Sequence, residues 1–311
     1  MLRYIVKRIA YAILTLFVLI TLTFFMMRLV PGEPFTGDKA IKPAVMENMM
    51  AKYGLDKPTG EQYLIFMGNC LRGDLGISIV HNRPVSELIG LAFPASARLG
   101  ISAIIFALLF GVLLGAVAAV KRGTLLDSGT MLIAMLGVSV PSFILGALFQ
   151  YFLALQLNRA VGTMVFPIQG WGTVRHMFLP AFALGLGSLA TVSRLMRTSM
   201  LDVLGQDYIK TAKAKGLSQG KVLWRHALRN AIMPVVTVMG PIIASVLTGS
   251  FVVESIFNVP GLGKYFVSSI RDLDYTMVSG TTVFYGALLI FCALIVDLLY
   301  GLIDPRVKLE G

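Results

Sequence analysis

Charge is the first scarcity in this chain. Only 14% of its 311 residues are Asp, Glu, Lys or Arg, against about 25% in an average soluble domain. Too few charges remain to cover a globule in water. A disordered chain, which combines low hydrophobicity with high net charge, is excluded as well. Histidine is nearly missing: His81, His176 and His226 fall in separate segments, so neither a metal cluster nor a histidine-based triad is suggested. The two cysteines, Cys70 and Cys292, have no metal or redox spacing, and Cys292 lies inside an apolar run, so both are read as free thiols.

Apolar residues are what the chain has in excess, at 56% with a mean hydropathy of +0.79. Uncharged runs cover 9–27, 99–120, 128–158, 177–193, 230–253 and 275–296. A helix needs about 20 such residues to cross roughly 30 Å of hydrocarbon, so each run predicts a span. Run 128–158 is longer than one span needs. The expectation is an all-α membrane protein with six transmembrane helices, an even number that returns both termini to one side. The first run follows Arg3, Lys7 and Arg8, as in a signal peptide, but no A-x-A-like site comes before Pro31; it reads as an uncleaved anchor.

The net charge of +11 bears on orientation rather than on nucleic acid. With the N-terminus in the cytoplasm, the inner segments hold 15 of the 27 basic residues and five of the 16 acids. Six of the 12 outer basic residues (Lys39, Lys42, Lys52, Lys57, Arg72 and Arg83) sit in one long loop, where the positive-inside rule loses force. Both termini are therefore expected in the cytoplasm.

Two connecting segments are too long for plain linkers. The outer one, 31–93, carries Val45, Met46, Met49, Met50 and Tyr53 and then Tyr63, Phe66 and Met67 at helical spacing, which predicts a small cap with two short helices. Such a cap either covers the span ends or docks an outside partner. In the inner segment, 198–232, Asp202 and Asp207 precede a Lys- and Ala-rich stretch, 208–215, and Gly216 sits where a helix end favours a left-handed residue. Ser218 is placed to cap a second helix, on which Lys221, Arg225 and Arg229 form a basic stripe; Pro234 disturbs the helix as it enters the next span. Anionic lipid would satisfy that stripe. Small residues Ala212 and Ala214 beside a hinge glycine point instead to the close approach of a partner.

No catalytic constellation stands out. The stretch from Gly216 to Lys221 resembles a phosphate loop, with three residues instead of four between its glycines and Val222 in place of Ser or Thr. Gly185, Gly187 and Ala190 match the letters of a dinucleotide fingerprint inside an apolar span, where glycines serve close helix packing. The Arg72-Gly73-Asp74 tripeptide lacks any adhesion context. Asp297, late in the last run, is read as pairing with a neighbouring helix or inner-face water, with a pathway role as the alternative.

Several segments together resemble the inner-membrane permeases of binding-protein-dependent ABC importers. The inner loop reads Asp207-Tyr208-Ile-Lys-Thr211-Ala212-Lys-Ala214-Lys215-Gly216-Leu217, then Arg225 through Pro234, with Lys210-Thr-Ala212 where that family usually starts with a glutamate. Glu254 through Pro260-Gly261-Leu-Gly263, Gly73-Asp-Leu-Gly76 and the terminal Asp304-Pro305-Arg306 are similar to its peptide and nickel branch. Phe24-Phe-Met-Met-Arg28 with Pro31-Gly-Glu-Pro34-Phe-Thr-Gly37 is similar to the B-type subunit of oligopeptide importers.

The resemblance implies a type I importer permease fold in the bacterial cytoplasmic membrane. It divides the chain into an N-terminal segment and first span (1–30), an outer cap (31–93), a transmembrane domain (94–303) with its coupling loop at 198–232, and a tail (304–311). The implied partners are a homologous second permease, two cytoplasmic ATPases that each receive one coupling helix (here the 208–232 region), an external peptide-binding protein and membrane lipid. The implied substrate is an oligopeptide, with nickel, dipeptide or glutathione as alternatives. A proton-coupled carrier is the rival class, but its internal inverted repeat is not found. The chain itself is expected to be no enzyme and to hold no cofactor or metal, with ATP and Mg²⁺ in the partners. No nucleic acid is expected.

Overall fold

The computed structural model describes residues 2–29, 54, 56–248 and 250–303, and side chains except at 2–4, 248 and 297–303. The expected helix around Val45 to Tyr53, the motif from Pro31 to Gly37, the terminal Asp304 to Arg306 and the side chain of Asp297 lie outside the described residues. All regular elements described are helical apart from one isolated bridge between Ile77 and Pro84. In a solvent without water, a helix satisfies its backbone internally, so helices are the economical solution.

In chain order the helices are α1 (Leu2–Leu29), α2 (Thr59–Leu71), α3 (Val85–Val120), α4 (Leu125–Ser139), α5 (Ser142–Val161, π-wound over Gln150–Gln156) and α6 (Val174–Leu204). There follow α7 (Asp207–Ala214), α8 (219–231, π-wound over Val222–Ala227), α9 (Met233–Thr237), α10 (Met239–Thr248), α11 (Phe251–Ile256), α12 (Leu262–Arg271) and α13 (Tyr275–Ile303). Among the described residues six stretches are long and apolar enough to cross a membrane: Ile5–Leu29, Val85–Val120, Ser142–Val161, Val174–Leu204, Met239–Ile256 and Tyr275–Val296.

Two runs read as single spans are divided. Run 128–158 breaks where Pro141 forces Val140 out of the helical region, to φ −98° and ψ 124°, separating α4 from α5. Run 230–253 is a succession of short helices, with Pro234 in the first turn of α9. Only its later part, Met239–Ile256, qualifies as a span.

The helices form two compact units. One comprises the described residues up to Pro94 together with those from Gly261 onward, and the other comprises Ala95–Pro260. In the first, α2 lies against α1 through an aromatic cluster. Phe24 meets Tyr63 at 5.3 Å and Phe66 at 5.5 Å between ring centroids, and Thr21 Oγ1 and the Tyr63 hydroxyl are hydrogen-bonded at 2.9 Å. The second cap group therefore does form a short helix. The same unit is fastened by a carboxylate that no sequence motif marks. Asp274 is fully buried ahead of α13 and accepts hydrogen bonds from Ser78 Oγ, the Ile79 N–H (3.1 Å), the Val80 N–H (3.2 Å) and the Met277 N–H (3.0 Å).

The second unit is centred on α6, which buries Leu184, Ala190, Val192, Met196 and Met200. Close approach to α3 depends on glycine: a methyl group on Gly115 would lie 2.7 Å from Met196 Cβ. Gly111, one turn earlier, accepts a hydrogen bond from Ser193 Oγ through its carbonyl. The pair is a small-xxx-small contact, suited to helices without a hydrophobic drive between them. Gly185 packs the same way, its missing Cβ falling 2.8 Å from the Ala103 carbonyl oxygen. The dinucleotide-like letters at Gly185 thus serve helix packing.

Candidate functional site

The loop after α6 is a helix, a glycine turn and a second helix. Asp207 opens α7 after Gln206, whose side chain makes no capping bond. Ile209 and Ala212 point inward, 0% and 6% exposed, joining the core cluster that holds Met200, Val222 and Ala227. Ala212 is therefore internal packing, not part of an approach surface as the sequence suggested. The opposite face leaves Asp207, Thr211, Ala214 and Lys215 exposed, spaced as one helical stripe. Lys210 pairs with Asp207 at 2.9 Å, but both side chains are largely in solvent, so the pair adds little stability.

Gly216 ends the helix in the left-handed region at φ +75°. Its N–H donates to the Lys213 carbonyl (2.9 Å), and the Leu217 N–H reaches back to the Ala212 carbonyl (3.3 Å). Together they make a Schellman turn, which satisfies carbonyls the helix end would otherwise orphan. Ser218 occupies the N-cap position of α8 in extended conformation, but its side chain does not make the expected capping bond. Asn230 Nδ2 donates to the Tyr208 hydroxyl at 3.0 Å, closing the hairpin between α7 and α8. Lys221, Arg225 and Arg229 are all exposed along α8.

Farther along the same unit lies a groove of about 590 Å³ beside the Pro141 break. Ser142, Ser188, Thr191 and Ser245 supply its polar lining, with Pro141 at the helix break, Pro241 in the first turn of α10 and no charged side chain among the lining residues. Its volume falls in the range of about 300–1,000 Å³ typical of small-molecule sites. Thr191 Oγ1 donates to the Gly187 carbonyl at 3.0 Å. At the start of α4, Asp127 forms a bidentate pair with Arg197 of α6 at 2.6 and 2.8 Å. The guanidinium, aided by the Gly123 N–H, holds the Asp127 carboxyl down at about 2.

The other predicted residues are dispersed. Glu254 is fully buried and accepts from Ser250 Oγ at 2.6 Å; its carbonyl takes the Val259 N–H at 2.8 Å, across a turn with Asn258 at φ +53°. Pro260 follows, exposed, and Gly261 and Gly263 are buried at the start of α12. This motif is a turn-and-cap device, not part of the α7–α8 hairpin. Pro234 lies in the first turn of α9. Among the described residues no cluster of three or more His, Cys, Asp or Glu is placed to hold a metal. Cys70 is free, and burial pushes its thiol up to about 11, with Asp74 adding to the shift.

Six apolar stretches among the described residues and a presented helix–glycine–helix hairpin define a helical, multi-pass membrane protein. The chain belongs to the family described as binding-protein-dependent transport system inner membrane component, matched over residues 111–309, and its N-terminal companion region matches residues 1–100. It is a multi-pass inner-membrane protein. Among its relatives is the dipeptide transport system permease protein DppB of Bacillus subtilis, 47% identical over 100% of this chain and 99% of that one. The oligopeptide transport system permease protein OppB of Escherichia coli K12 is 42% identical over 99% of this chain and 100% of its own length. The crystal structure of an amino acid ABC transporter shares the fold, with a TM-score of 0.50 at 15% identity, over 71% of this chain and 94% of the other.

Proposed function

We propose that this chain is one permease subunit of an ATP-driven importer that moves peptides into the cytoplasm. The observation that carries the reading is the α7 stripe of Asp207, Thr211, Ala214 and Lys215, exposed while Ile209 and Ala212 fix the helix from beneath. A surface held this way suits docking of a cytoplasmic ATPase. On this reading the loop faces the cytoplasm, as do both termini, in accord with the charge distribution. A second homologous permease completes the pathway, and a peptide-loaded external protein docks on the opposite side. ATP and Mg²⁺ belong to the ATPases.

The charge-free groove at Ser142, Ser188, Thr191 and Ser245 is this subunit's share of the path. Hydroxyls can hydrogen-bond a peptide backbone whatever its side chains, and the absence of fixed charge avoids selecting among them. This lining suits a peptide better than nickel, because a divalent cation is best held by carboxylate, imidazole or thiolate ligands. Relatives named for both dipeptide and oligopeptide transport leave length to the external binding protein.

The docking test is Ala214→Trp. The purified permease pair should remain intact but lose its co-purifying ATPases. Full retention of the ATPases would remove α7 from the interface.

A further inference from the structure

A second cavity has the opposite chemistry. Where the last turns of α3 meet α6 and α8, a groove of about 250 Å³ is walled by Val112, Ala116, Val120, Met200, Trp224 and Leu228. Its one charged lining residue is Lys121, immediately after the end of α3. From Val112 to Lys121 the helix rises about 13–14 Å at 1.5 Å per residue, close to half the thickness of the hydrocarbon layer. The length of the groove therefore matches that of one leaflet. Trp224 is 66% exposed at its wall, and Lys121, Arg122, Lys221 and Arg225 are exposed around it.

We propose that this groove seats one acyl chain of an anionic phospholipid, with its phosphate held at Lys121 and the neighbouring basic residues. An apolar channel one leaflet deep with a cationic mouth complements an amphiphile of that polarity, and a tryptophan at such a mouth sits where indole favours the membrane interface. Along its aliphatic walls a peptide backbone would find no hydrogen-bond partners. The walls at Val112, Ala116 and Val120 belong to the span itself, beyond the reach of a soluble ATPase. The α8 basic residues thereby contribute to lipid contact, while α7 serves the partner. Only the leaflet concerned rests on the orientation proposed above; the groove's preference for anionic lipid does not depend on transport.

The assembled importer is reconstituted in nanodiscs containing brominated phosphatidylglycerol or brominated phosphatidylcholine at equal mole fraction. Subtracting the fluorescence of a Trp224→Phe complex isolates the Trp224 signal. The expected result is quenching by the anionic lipid at roughly fivefold lower mole fraction, the factor one basic residue beside a leaflet supplies, with the preference abolished by Lys121→Gln. Equal quenching by both lipids would reduce the groove to bulk lipid contact. No quenching by either would mean that protein covers it, and a preference retained in Lys121→Gln would remove the cationic mouth. Each of those results overturns the proposal.

Discussion

Replacing Gly216 by proline tests the hairpin at its turn. The native residue holds φ +75°, whereas a proline ring fixes φ near −65°. The variant cannot adopt the turn, and its missing N–H removes the bond to the Lys213 carbonyl outright. The Leu217 to Ala212 bond depends on the same left-handed residue and goes with it. Proline also disfavours the near-helical conformation of Lys215, at φ −75° and ψ 7°. Two hydrogen bonds at about 0.5–1.5 kcal/mol each amount to roughly 1–3 kcal/mol. That is too little to unfold a buried bundle, but enough to re-aim α7 relative to α8. Gly216→Ala is the control. No atom lies within 4 Å of the added methyl, so its cost is only the left-handed strain of about 1–2 kcal/mol, and the turn can persist. In proteoliposomes the proline variant should assemble normally and lose uptake roughly tenfold or more, the factor that about 1.4 kcal/mol carries. Its ATPase should no longer respond to loaded binding protein. The alanine variant should keep most uptake. Normal uptake by Gly216→Pro would refute the coupling role of the turn.

Three further outcomes follow from individual contacts. Asp274→Ala strips the acceptor from Ser78 Oγ and three backbone N–H groups; at about 1–3 kcal/mol for each buried group left unsatisfied, the thermal midpoint of the purified complex should fall by many degrees, and an unchanged midpoint would contradict the burial argument. Asp127 is held at about 2 by Arg197, below its ordinary 3.8. A lowered carboxylate contributes stability above its unfolded value and loses it as pH falls through the folded one, so the wild-type advantage over Asp127→Asn should persist at pH 5 and vanish between about 4 and 2, read by thermal unfolding across pH. The Cys70 thiol, raised from 9.0 to about 11, should react with maleimide roughly a hundredfold more slowly at neutral pH than an ordinary thiol, because the thiolate is the nucleophile; equal rates before and after denaturation would show that it is not shielded.

The sequence made the turn at Gly216 and the span at 275–296 readable because both are local: a glycine after a helical run, and an unbroken apolar stretch of bilayer length. The interruption at Ile232 is written locally in Pro234; the one at Val140 is written in Pro141 but masked by the continuous hydrophobicity of 128–158. Composition shows that Ala212 is small, not which side of α7 it occupies; its burial with Ile209 places it on the inner side. Asp274 had no local signature. Its partner Ser78 lies 196 positions away, and only the folded chain brings them together. The groove at Ser188 and the one at Trp224 draw on helices far apart in sequence, so no spacing could announce either.

The most direct test of the central claim is uptake of labelled tri- to pentapeptides, with dipeptide and nickel as controls, in cells lacking only this gene and then complemented with it. The account predicts that peptide uptake is lost with the gene and restored by it while nickel uptake is untouched. Restoration of the tri- to pentapeptides points to an oligopeptide system, and of the dipeptide alone to a dipeptide system. Uptake that follows the gene for nickel only, or for none of these, would contradict peptide import.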